Sequence, residues 1–100
     1  MEKYSTRALD ELNRILLPQE LRDKLELGVG DRVSLDIAVN LLVLCKIPAG
    51  LVGLETSSAT LNDLGMITLS RAVCNELNWK THDKLSIYHI DKLVILHHPE

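Results

Sequence analysis

Residues 9–27 read LDELNRILLPQELRDKLEL, and residues 61–79 read LNDLGMITLSRAVCNELNW. The second stretch lies 52 positions after the first and aligns with it without a gap. Leu9 meets Leu61, Leu12 meets Leu64, Ile15 meets Ile67, Leu17 meets Leu69 and Leu25 meets Leu77. The match continues downstream, pairing Asp31 with Asp83, Ser34 with Ser86, Leu41 with Leu93 and Leu44 with Leu96. Most identities are apolar, as a shared core pattern requires. A self-similarity of this period marks two copies of one supersecondary unit.

Each copy reads strand, strand, helix, strand, strand. In the first, residues 6–12 form a strand of mixed polarity, a turn follows at Glu11–Asn13, and RILL (14–17) is the second strand. The matching turn of the second copy contains Gly65, which accepts a positive φ. Pro18 fits the first helical position, where a missing N–H costs nothing. Leu21 and Leu25 lie on one helix face, Glu20 and Lys24 form an i,i+4 pair on the other, and Gly28 is expected as the left-handed cap. VSLDI (33–37) alternates apolar and polar residues and is the third strand. A tight turn at Val39–Asn40 leads to LLVLCKI, which is apolar on both faces and so is expected to be central or covered on both sides. The second copy repeats this with a helix over 70–77, Ser70 as its N-cap and Val73 and Leu77 facing inward. LSIYHI, a turn at Asp91–Lys92 and LVILHH then follow.

One hundred residues suffice for a single small domain, whereas one copy alone cannot bury enough apolar surface to fold. The expected organisation is a unit over 5–47, a connector over 48–58 and a second unit over 59–98, sharing a core. Pro48, Gly50 and Gly53 suit a connector, while Leu51, Val52 and Leu54 suggest one that packs. With no Phe, the core must be built from Leu, Ile and Val. The N-terminus lacks the apolar stretch of a signal peptide, and no run reaches the ~18 apolar residues of a membrane span. A soluble cytoplasmic protein is expected.

Cys45 and Cys74 lie in apolar stretches and read as buried thiols. His82, His89, His97 and His98 show no metal-ligand spacing, and no Gly-rich phosphate loop or nucleophile motif is present. No metal, no cofactor and no enzymatic activity are expected.

The first copy resembles the swapped-hairpin domain of the AbrB, MazE and SpoVT families. The carrying residues are LDELNRILLPQELRDKLEL followed by GVGDRVSLDI and LLVLCKI. Asp10, Glu11, Leu12, Arg14, Pro18, Glu20, Leu21, Arg22, Leu25, Gly28 and Asp31 fit the family pattern, with Asn13 in place of the turn glycine. The tandem arrangement resembles the MraZ family. The resemblance implies a mainly β fold with short helices, a swapped-hairpin AbrB-like β-barrel made of two ββαββ repeats. It also implies a transcriptional regulator that binds double-stranded DNA, sequence-specifically or with an AT preference, through arginines on the first strand, its turn and the helix start.

Carried over, those residues are Arg7, Arg14 and Arg22, with Lys3, Asn13 and Lys24 completing the expected DNA-contacting set. The net charge of −3 gives no bulk signal for nucleic acid, so this expectation rests on local clustering. Asp23 stands where many members carry a further arginine. The second copy has Ala59, Met66 and Cys74 opposite the three arginines. A homodimer or higher homo-oligomer, nucleoid-associated, is therefore expected to supply enough basic surface. Two other readings use the same fold. One is an interaction module that has lost DNA binding and takes a protein partner. The other is a MazE-like antitoxin, against which stands a sequence that looks folded up to Leu96.

Overall fold

The computed structural model describes residues 2–51 and 57–99. The first half contains β1 (Glu2–Ala8), β2 (Arg14–Leu16), α1 (Gln19–Lys24), β3 (Arg32–Ala38) and β4 (Leu41–Ile47). The second contains β5 (Ser58–Thr60), β6 (Met66–Thr68), α2 (Arg71–Leu77), β7 (Lys84–Ile90) and β8 (Leu93–His97). Six antiparallel strands form one sheet in the order β1-β7-β8-β4-β3-β5, and β2 pairs with β6 in a separate ribbon. The molecule is mainly β, with short helices. It is not the closed barrel expected, because β1 and β5 end the sheet and the chain leaves each of them for the ribbon.

The first strand of each half pairs with the third strand of the other: β1 with β7 and β5 with β3. The halves thus interleave within one chain. Ile15 pairs with Ile67 in the ribbon and Val43 with Ile95 in the sheet, each pair 52 residues apart. A local two-fold axis passes through both pairs. Core positions follow it. Leu9, Ile15, Leu17, Leu42 and Leu44 are buried, and so are Leu61, Ile67, Leu69, Val94 and Leu96. One face of the sheet (Val33, Leu35, Leu42, Leu44, Leu85, Ile87, Val94, Leu96) shares a core with the ribbon and helices. Full burial of each such side chain contributes ~1.5–3 kcal/mol.

Several local expectations are corrected. The first strand covers Glu2–Ala8 rather than 6–12. It stops because the Asp10 carboxylate accepts the Leu12 and Arg14 backbone N–H groups at 2.9 and 2.8 Å and folds residues 10–13 into the turn. Pro18 is the N-cap of α1, with φ −56° and ψ 144°, rather than its first helical residue. Glu26, not Gly28, takes the left-handed conformation after α1, at φ 55°. Its N–H donates to the Asp23 carbonyl and that of Leu27 to the Arg22 carbonyl, a Schellman motif. Leu27, the residue after the left-handed position, is buried and supplies the apolar contact that often accompanies this motif, whereas Val29 is exposed. Asn78 and Trp79 repeat the motif after α2. Ser70 caps α2 as expected, accepting the Val73 N–H at 3.2 Å. Val73 is buried and Leu77 half-buried.

Cys74 is buried and Cys45 only half-buried. β4 is central, but Leu41, Val43 and Cys45 remain half-exposed on the sheet face turned away from the core. In the connector, Leu51 is exposed rather than packed, and Val52, Gly53 and Leu54 lie outside the described residues. Among the described residues no helix is long and apolar enough to cross a membrane.

Candidate functional site

Ribbon β2–β6 has two faces. Ile15 and Ile67 point into the core, fully buried. Arg14, Leu16, Met66 and Thr68 alternate with them and face outward, in the register Arg14↔Thr68 and Leu16↔Met66. A turn leads into each strand. Asp10 forms the first as described, and Asn62 forms the second in the same way, its Oδ1 accepting the Leu64 and Met66 N–H groups at 2.9 Å each. Asn13 and Gly65 occupy the positive-φ positions, at 60° and 79°. Leu12 and Leu64 stand at the turn tips, 63% and 62% exposed.

Two guanidinium groups flank this ribbon. Arg14 Nε donates to Asp10 Oδ2 at 2.7 Å. Partial burial pushes the Asp10 carboxyl upward. The hydrogen bonds from the Arg14 backbone and guanidinium and from the Leu12 backbone outweigh it, and hold the group below the ordinary aspartate value. Arg22 Nε donates to the Leu17 carbonyl at 2.9 Å. Its guanidinium lies against the second turn, where a Cβ on Gly65 would stand 2.7 Å from Arg22 Cζ and Nη2. Leu17 N–H also donates to the Gly65 carbonyl, which binds helix start to turn. Arg14 and Arg22 are therefore each fixed through Nε. Among the described residues the Nη groups of both carry no hydrogen bond.

The remaining expected residues are dispersed. Arg7 lies on β1 opposite Leu85, on the core side of the sheet, with its Nε buried and unpartnered among the described residues. Its counterpart Ala59 is buried. Asn13 acts through its backbone, its carbonyl accepting the Leu69 N–H at 2.8 Å. Lys24 Nζ sits 5.3 Å from the centre of the Tyr4 ring, a cation–π contact, and Tyr4 meets His89 edge-on at 5.7 Å. Lys3 pairs opposite Tyr88, on the sheet face turned away from the ribbon. Sequence reasoning missed the role of Gly65 as the seat of Arg22. The signal was a glycine in a turn preceding a strand, which announces the backbone conformation but not its neighbour.

What fold and site define is a small antiparallel, mainly β protein with an arginine-flanked ribbon on one side of its sheet. No protein-family model matches the sequence, and no curated protein matches it. The chain is similar in structure to PHS018 from Pyrococcus horikoshii, known as a solution structure. The TM-score is 0.54 at 17% identity, covering 99% of this chain and 95% of that one. At that identity the likeness concerns the fold alone.

Proposed function

We propose that this protein is a DNA-binding transcriptional regulator with an AbrB-like swapped-hairpin architecture, its two tandem repeats exchanging their first strands within one chain. The observation that carries the reading is the common anchoring of Arg14 and Arg22 by Nε, which leaves both Nη groups of each side chain for an external acceptor. A guanidinium so held presents a planar fork suited to a phosphate or to the O6/N7 edge of guanine. Fixing it beforehand reduces the rotamer entropy lost on binding. Arg7, Asn13 and Lys24 are auxiliary in this reading.

Retention of AT-rich duplex DNA at two salt concentrations tests it. Binding is expected to weaken steeply with salt, and Arg14→Ala and Arg22→Ala each to reduce it about tenfold or more. Absence of wild-type binding at low salt refutes it. A second reading, a protein-interaction module, is favoured by the exposed Leu12 and Leu64 at the two turn tips of the ribbon. It predicts that Leu12→Ser and Leu64→Ser abolish partner capture while DNA is never bound.

A further inference from the structure

The sheet face opposite the ribbon is apolar where a solvated face should be polar. An antiparallel sheet wetted on one side normally alternates apolar and polar residues in every strand. β3 obeys this, placing Ser34 and Asp36 outward opposite Cys45 and Val43. β4 and β8 do not: on the outer face Val43 pairs with Ile95, while Leu41 lies opposite His97 and Leu93 opposite Cys45, with Ile95 buried among them and Leu41, Val43 and Leu93 half-buried. One row runs straight across five strands. Lys3 pairs with Tyr88, Tyr88 with Ile95, Ile95 with Val43 and Val43 with Asp36. The row spans about 19 Å at the usual strand spacing. It begins with the exposed cation Lys3 and ends with the exposed anion Asp36, and neither has an ion-pair partner among the described residues.

We propose that this face binds a second copy of the same chain, sheet against sheet. Charge complementarity selects the occupant. A two-fold axis parallel to the strands through Ile95, the middle of the row, reverses the row in the partner. Lys3 of each copy then meets the partner's Asp36, and Tyr88 of each packs on the partner's Val43. The interface is isologous and closes at two copies. Sheets stack face to face at about 10 Å and near-aligned, a separation that a lysine at the rim can bridge. The two ribbons then point in opposite directions, so the dimer offers two separate arginine faces. The inference does not depend on what those faces bind.

Sedimentation of the full chain from about 10 μM to about 1 mM, the range suited to a modest interface, tests it. Wild type is expected to equilibrate between monomer and dimer in that range. Lys3→Glu and Asp36→Lys should each weaken the dimer about tenfold at low salt, because like charges then meet twice. The double variant K3E/D36K should return to within about threefold of wild type, since the pairs are rebuilt with signs exchanged. Val43→Glu should be monomeric with an unchanged circular dichroism spectrum. Should it fail to fold, the charge exchange decides by itself. A monomeric wild type, a double variant as weak as the single ones, or a folded Val43→Glu that still dimerises would each overturn the proposal.

Discussion

Replacing Gly65 by alanine should loosen the second turn and the arginine resting on it together. Gly65 has φ 79°, where an L-residue loses ~1–2 kcal/mol. The new Cβ would lie 2.7 Å from Arg22 Cζ, so the guanidinium must move and its Nε bond to the Leu17 carbonyl breaks. A hydrogen bond from a charged donor contributes ~1.5–3 kcal/mol, and partial exposure puts this one at the low end. Gly65→Ala should therefore cost about 2–4 kcal/mol in wild type. In an Arg22→Ala background there is nothing to displace and only the backbone cost of ~1–2 kcal/mol remains. Urea unfolding of the four members of this double-mutant cycle reads the difference, an expected coupling of about 1–2 kcal/mol. Equal costs in both backgrounds would refute the assignment of Gly65 as the seat of Arg22.

Asp10→Asn should leave the first turn intact, because Asn62 makes the same two backbone hydrogen bonds at the equivalent place. Only the half-exposed Arg14 pair is lost, under ~1 kcal/mol in chemical denaturation, whereas Asp10→Ala also leaves two N–H groups unsatisfied and should cost more. The folded-state lowering of Asp10 also fixes a pH dependence: its stabilisation is present above the unfolded carboxyl value and is lost as pH falls through the lower folded one. Asp31 is lowered likewise, chiefly by the Gly28 N–H and with help from Lys46, so acid unfolding of Asp10→Asn should be shallower than wild type but not flat. Val39 has φ 59° at 95% exposure, a costly conformation for a β-branched residue. Val39→Asn should raise stability by about 1 kcal/mol, visible as a thermal midpoint higher by ~4–8 °C. No rise would mean that the hairpin adapts its turn to the residue.

Local chemistry made much of this protein legible. The 52-residue register, the strand Leu41–Ile47, the Ser70 cap and the positive-φ positions at Asn13 and Gly65 all follow from apolar spacing and turn propensity. Such signals act over a few residues and are written in the order of the chain.

Partnership between distant segments is not written that way. Nothing in the run from Glu2 to Ala8 specifies β7 as its neighbour, or that Lys3 and Arg7 emerge on opposite faces of the sheet; a bulge between Lys3 and Ser5 changes the face midway. The left-handed residue after α1 fell on Glu26 because Leu27 had to reach the core, a requirement of packing that overrode the preference for glycine. Arg22 found its support on Gly65, a turn in the other half. Sequence by itself thus indicated the kinds of element and their order, though not the bounds of the first strand or the cap of α1. The tertiary structure alone decided that the halves exchange strands within one chain, which arginines flank the ribbon and which sheet face turns away from the core. Those outcomes depend on long-range pairing and shared burial, which no local pattern encodes.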